Sequence, residues 1–395
     1  MAAEPIDSGA ASVDVPRADG RWWWHSRTSA DPDITPEAHF IAQCVREPDA
    51  VRPGELAAAA AAVRDWATVV ELARRHRVAA YILEAAARDA IEIPPTVARY
   101  LRRTSLLATA TVLRIDVELR RVIGNLAAVG IPAVVLKGPA LGRTIYPRTM
   151  FRPYGDIDLT VQDRHQAIAA RTLLEQGYEE IPYAAEEARL AQAGHFDGCA
   201  VFHRQFMSGD GEVPLDLHAD PLQLGLRPTG EAARWRRALP LPGLPGALML
   251  CPEDQMVQLS AHVHKHGFDR LIWLKDLDGL LRTYPGRLDW GVVERAARDE
   301  GVSESVWYSL HLTKLLLGAP VPHDLLRQLR PSLPVRLLYG QVWPAARIAG
   351  LRGFMRRRAV QFHAAESWRG MLPSLILMGR RGARARAVVQ TVLHS

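Results

Sequence analysis

The stretch that most constrains this chain runs from Ile131 to Val161. It is an apolar segment broken at Lys137-Gly138 and closing in the run Gly155-Asp156-Ile157-Asp158-Leu159-Thr160-Val161. Ile157, Leu159 and Val161 alternate with Asp156, Asp158 and Thr160, the period-two pattern of a half-buried strand. Both carboxylates therefore project from one face. Two like charges about 7 Å apart repel and cost desolvation energy unless a cation lies between them, and hard oxygen ligands favour Mg²⁺ or Mn²⁺. Taken alone, the segment also fits a solvent-facing strand that carries acids.

The same alternation returns in Val213-Pro214-Leu215-Asp216-Leu217-His218-Ala219, with Pro214, Asp216 and His218 on the polar face. A third carboxylate then stands on a second strand able to pair beside the first. Three carboxylates on neighbouring strands, preceded by a strand that ends in glycine, are the constellation a two-metal phosphoryl or nucleotidyl transfer site needs.

These segments resemble the nucleotidyltransferase superfamily that includes DNA polymerase beta, and more closely its bacterial branch of uncharacterised nucleotidyltransferases. The matching pieces are Leu136-Lys137-Gly138, Tyr146, Arg152-Pro153, Asp156-Ile157-Asp158, Gly177-Tyr178 and Leu215-Asp216-Leu217-His218. The superfamily's loop usually carries Gly-Gly or Gly-Ser nearer the first Asp, whereas here Gly138 is followed by Pro139 and lies further upstream. The resemblance implies that Asp156 and Asp158 hold a metal pair, with Asp216 completing one metal's shell and helping an acceptor hydroxyl lose its proton. Gly138 would admit backbone N–H groups to a triphosphate, and Lys137 or Arg152 would add positive charge, Arg being better suited to a bidentate phosphate contact. Lys137 reaching solvent and Arg152 pairing with a nearby acid are the structural alternatives.

Composition sets the surroundings. With 395 residues, 48% hydrophobic and 23% charged, the chain is long enough for two or three packed units. A net charge of +6 suits anionic partners but carries little weight in so Arg- and Ala-rich a chain. Cys44, Cys199 and Cys251 are scattered without ligand spacing, which excludes a zinc or disulfide framework and fits a reducing, cytoplasmic setting. No apolar run reaches the roughly 18 residues of a membrane span, and the acidic amino terminus lacks a secretory core.

The expected fold is α+β: a small mixed β-sheet nucleotidyltransferase core with helices on one face, flanked by N- and C-terminal helical units. Residues 1–35 read as a disordered tail interrupted by Trp22, Trp23 and Trp24. Residues 36–126 form a helical unit containing the basic corner Arg74-Arg75-His76, and its last helix is stopped by Gly130. The core spans 127–240. Around His195, Asp197, His203 and Arg204 no clean period appears, and the proline-rich 239–246 marks a boundary to a helical unit over 241–395.

In that last unit His262, His266, Asp269, Trp273 and Asp276 recur at steps of four, three, four and three, one stripe of an uninterrupted helix unless Gly267 breaks it. The Glu of a zinc-protease motif is missing between the two histidines. A packed polar face and an acceptor-binding face at the cleft are both open, and the family branch, which tends to carry a His-rich helix leading to an Asp, points to the latter. The arginine-dense end, with Arg356, Arg357 and Arg358, then Arg380 and Arg381, reads as solvated helix faces; nucleic acid is a less favoured partner because stacking aromatics are not interleaved.

The function expected is transfer of a nucleoside monophosphate, most simply AMP from ATP or another nucleoside triphosphate, with Mg²⁺ or Mn²⁺, to a small-molecule, peptide or protein acceptor. The family branch's frequent place among genes for modified peptides makes a peptide or small metabolite plausible. A regulatory protein that binds nucleotide or nucleic acid on the same fold without turnover is the alternative. Relief of carboxylate repulsion predicts that Asp158→Asn raises the stability of the metal-free protein.

Overall fold

The computed structural model describes residues 35–181, 203–219, 221–222, 231–266 and 268–332. The tail with Trp22–Trp24, the segment holding His195, Asp197 and Cys199, Gly267 and the arginine-rich end lie outside the described residues.

Local signals start the helices. Thr35 accepts a hydrogen bond from the Ala38 N–H at 3.3 Å and Pro36 occupies the first turn of α1 (Pro36–Val45). After α2 (Glu55–Ala61), Asp65 caps α3 (Trp66–His76) by accepting from the Ala67 N–H at 2.9 Å. Helix α4 (Ala79–Arg88) leads to α5 (Pro95–Ala128), whose 34 residues make it about 50 Å long. Gly130, at φ 72°, ends it as its position predicts, and the Ile131 N–H reaches back to the Leu126 carbonyl at 2.9 Å in a Schellman closure.

The fold is α+β. The described strands are β1 (Ala133–Val135), β2 (Ile157–Thr160), β3 (Glu179–Ile181), β4 (His203–Met207), β5 (Pro214–His218), β6 (Leu239–Pro240) and β7 (Ala247–Met249). They form one mixed seven-stranded sheet in the order β3-β4-β5-β2-β1-β7-β6. At its centre β2 runs parallel to β5 and antiparallel to β1, and β1 runs parallel to β7. Helix α6 (Lys137–Thr144) follows β1 directly, and α7 (Gln166–Glu175) follows β2.

Strand alternation sorts the faces. Ile157, Leu159, Leu215 and Leu217 pack with Ile115, Leu119, Val122 and Ile123 of α5 and Ala169 and Leu173 of α7 in one buried cluster. Asp158, Thr160, Asp216 and His218 point to the opposite face. That face is not open to solvent: Asp158 is 2% exposed and His218 0%.

What covers it is helical. Beyond α8 (Glu231–Arg237) the chain continues through α9 (Pro252–Lys265), α10 (Leu271–Thr283), α11 (Trp290–Asp299), α12 (Ser303–Leu317) and α13 (His323–Gln328). These helices do not form a unit apart from the amino-terminal ones: Phe40, Ile41, Leu72 and Ile82 share one hydrophobic core with Met256, Ile272, Leu277, Val306 and Leu310. Helix α5 spans both halves, with Leu101 in this core and Val112 to Leu126 under the sheet.

Within the proline-rich 239–246, Pro240 sits on the edge strand β6, where its missing N–H costs no ladder bond, and β7 returns beside β1. The His262–Asp276 stripe is not one helix: α9 ends at Lys265, Phe268 takes a φ of 55°, and α10 starts at Leu271.

Candidate active site

The parallel register of β2 and β5 sets Asp158 opposite Asp216 and Thr160 opposite His218. One donor atom each from Asp158, Asp216 and His218 lies within 4.8 Å of the others. Two carboxylates at that spacing fit a divalent ion such as Mg²⁺ or Mn²⁺, and the imidazole beside them is a third donor only through a nitrogen that carries no proton. Gln205, opposite Asp216 on β4, approaches it with Nε2 at 3.4 Å from Oδ1.

Lys137 enters from the third strand. The Leu136 N–H donates to the Asp158 carbonyl at 2.9 Å, and the next residue turns sharply, Lys137 taking φ 51° as α6 begins. A left-handed lysine is strained backbone, and here it delivers Nζ to 2.7 Å from Asp158 Oδ1. His218 Nε2 lies 2.6 Å from the same oxygen.

The charges follow from this packing. Burial acts to raise the Asp158 carboxyl, but Lys137 and His218 more than offset it and hold the group well below the ordinary carboxylate range. An ionised carboxylate only accepts, so His218 donates through Nε2–H. Burial pushes His218 down to about 4 despite that bond, which keeps the ring neutral. Asp216 is pushed up to about 7, by burial first and then by the Asp158 charge. Asp156 stands one residue before β2, and it too is raised by burial and by Asp158. Among the described residues the close donor set therefore contains His218 where the sequence suggested Asp156; the shared face of Asp216 and His218 was the signal for it.

Gly138 is buried beneath Tyr154. A Cβ on it would lie 2.5 Å from Tyr154 Cβ and 2.8 Å from Cγ, so packing requires glycine there.

Arg152 and Asp276 pair with each other, as the structural alternative for Arg152 has it. Arg152, 4% exposed, places Nε 2.6 Å from Asp276 Oδ1 and Nη2 2.7 Å from Oδ2, while Tyr146 donates its hydroxyl to Oδ1 at 2.7 Å. Burial leaves the Asp276 carboxyl above its ordinary value despite Arg152; Arg152, desolvated as well, is held protonated by Asp276 and Tyr146. With the Asp276 carboxylate 0% exposed, the pair ties the segment before β2 to α10, and the guanidinium fork of Arg152 is taken up by Asp276.

His262 and His266 lie together at the end of α9, and Trp273 of α10 reaches them across the helix break. Their ring centroids are 4.6 Å apart, and Trp273 packs 4.8 Å from His262 and 5.1 Å from His266. Asp269 lies on the link between α9 and α10. Burial, then Lys137 and His266, hold His262 far below its ordinary value, and its Nδ1 has no hydrogen-bond partner among the described residues. Gln255, Gln258 and Leu259 of α9 line one small cavity with Leu136, Lys137 and Leu141. The ring cluster thus belongs to the wall that faces Lys137.

No curated protein matches the chain. The family model described as uncharacterised nucleotidyltransferase matches residues 62–318, from the end of α2 to the end of α12, and so takes in α9 to α12 of the helical wall as well as the strands that carry Asp158, Asp216 and His218. The chain belongs to this nucleotidyltransferase family.

Proposed function

We propose that the protein is a metal-dependent nucleotidyltransferase that moves a nucleoside monophosphate, most simply AMP from ATP, to an acceptor hydroxyl and releases pyrophosphate. The observation that carries this reading is the parallel register that brings Asp158 and Asp216 face to face with His218 beside them. Asp158 and Asp216, with Asp156 at the mouth of β2, hold the metal. A bound divalent ion would neutralise charge developing on the transferred phosphoryl group. Asp216, whose ordinary range is shifted to about 7, takes the proton from the acceptor hydroxyl as its oxygen bonds to the α-phosphorus and the bond to the pyrophosphate oxygen breaks. His218 orients Asp158 through Nε2–H, and Lys137 adds positive charge at the end of β1 beside Gly138.

His262 and His266, in the ring cluster of the helical wall, and Asp269, on the link that follows, line the acceptor side. His266→Ala should lower transfer while leaving ATP affinity within about twofold; loss of ATP binding would move this residue to the nucleotide side. The acceptor is a small metabolite, a peptide or a protein. The direct test incubates the protein with each labelled triphosphate and Mg²⁺ or Mn²⁺, followed by mass spectrometry of the protein and a metabolite extract. A nucleoside monophosphate adduct that needs the divalent ion is expected. Metal-dependent binding with no transfer to any acceptor would favour the regulatory alternative.

A further inference from the structure

Arg152 was the arginine expected to meet the triphosphate, and its fork is occupied by Asp276. The helical wall supplies two others. His76 Nδ1 accepts the Leu271 N–H at 3.1 Å, which locks the end of α3 to the start of α10. The chain neighbours of this pair are Arg77, the left-handed cap of α3 at φ 58°, and Arg270, the residue that caps α10. Arg77 extends over the backbone of Gly155: a Cβ built there would be 3.9 Å from Arg77 Nη2. Its guanidinium thus lies against the residue that precedes Asp156. Arg270 lays its guanidinium carbon 4.9 Å from the Trp273 ring centroid, on the same cluster as His262 and His266.

Both arginines are half-buried, and among the described residues neither side chain has an ion pair or hydrogen bond. Two partly desolvated cations that repel each other, with Asp156 only partly offsetting the charge of Arg77, are unfavourable in the ligand-free protein. Burial, then Arg270 and Arg152, push Arg77 down to about 10, with Asp156 opposing. The strain is relieved by an anion, and the planar fork of each guanidinium matches phosphate oxygens in bidentate fashion.

We propose that Arg77 and Arg270 form an anion site that takes the terminal phosphates of the triphosphate substrate. This rests on the nucleotidyltransferase reading above and adds to it that the phosphate-binding arginines come from the helical units and not from the sheet. The arrangement makes triphosphate binding depend on the α3–α10 joint. The His76–Leu271 bond is then a positioning device for both guanidinium groups.

The probe is inorganic tripolyphosphate, which has neither base nor sugar, titrated into the full chain in EDTA and again with Mg²⁺. Wild type is expected to bind in both conditions, and Arg77→Met and Arg270→Gln should each weaken binding at least about tenfold, with Arg77→Lys intermediate. Because each substitution relieves the repulsion between the two guanidinium groups, the melting temperature without ligand should stay level or rise, and the two separate variants guard against one that does not fold. Binding of tripolyphosphate at wild-type affinity by both variants would overturn the site. Preference for citrate over tripolyphosphate, lost on Arg77→Met, would also overturn it, by assigning the arginines to an acceptor carboxylate. ATP transfer that is unaffected in both variants sinks this inference and leaves the nucleotidyltransferase reading intact; arginine-dependent tripolyphosphate binding without metal-dependent nucleotide binding does the reverse.

Discussion

The Lys137 ammonium lies 2.7 Å from Asp158 Oδ1 and so ties the end of β1 to the central acid of β2. Both side chains are nearly enclosed, at 10% and 4% exposure, which makes this a buried ion pair in the absence of metal. Asp158→Asn should reduce transfer by about a hundredfold or more, each tenfold loss corresponding to about 1.4 kcal/mol of transition-state stabilisation. Its effect on stability reverses the expectation drawn from repulsion alone. The substitution leaves Lys137 without its counter-charge, and breaking one side of a buried pair costs up to about 3–5 kcal/mol, so the melting temperature should fall. Asp163, exposed in the turn after β2, is the control, and its Asn variant should match wild type in both assays.

Relief of repulsion belongs instead to Asp216. Its folded-state value, raised to about 7, exceeds that of an unfolded aspartate near 3.9, so the folded protein holds the proton more tightly. The associated stability is complete below the unfolded value and is lost as pH rises through 7. Titration of His218, lowered to about 4, opposes this between pH 4 and 6.5, so the informative quantity is a difference between proteins. In EDTA, the melting temperature of Asp216→Asn minus that of wild type should grow from pH 4 to 7 and level off above. A difference that is flat with pH would show that Asp216 is not perturbed.

Asp276 and Arg152 should behave as structural residues. Asp276→Ala strands a buried guanidinium and should cost about 3–5 kcal/mol in urea unfolding. Tyr146→Phe, which removes only one hydrogen-bond donor to the same carboxylate, should cost about 1 kcal/mol and leave magnesium-dependent ATP affinity unchanged. A large loss of ATP affinity in Tyr146→Phe with unaltered stability would return this cluster to the site.

Gly138→Ala tests whether glycine serves packing or phosphate. The new methyl would meet the Tyr154 ring and its Cβ, forcing a shift in a close-packed region at a cost of about 1–3 kcal/mol. Stability should therefore fall together with nucleotide affinity. A stable variant with weakened ATP binding alone would assign the glycine to the phosphate contact only.

The alternating runs around Asp158 and Asp216 were legible because a strand's side chains point to opposite faces whatever the surrounding fold. From that period the strands and their shared carboxylate face follow; the end of α5 at Gly130 came from helix periodicity and capping, and the α+β core from the order of elements and the family resemblance. Which strands neighbour each other is a matter of long-range pairing, and only the tertiary structure decided that β5 lies parallel to β2 and that His218 joins the donor set. Charged residues were the least legible. Arg152 and Arg77 look alike in sequence, but Arg152 meets a carboxylate from 124 residues away, whereas Arg77 lies half-buried over Gly155 and gives its side chain to no acid among the described residues. A guanidinium takes its role from whichever partner the packed chain brings to it, and contacts between distant segments carry no local periodicity.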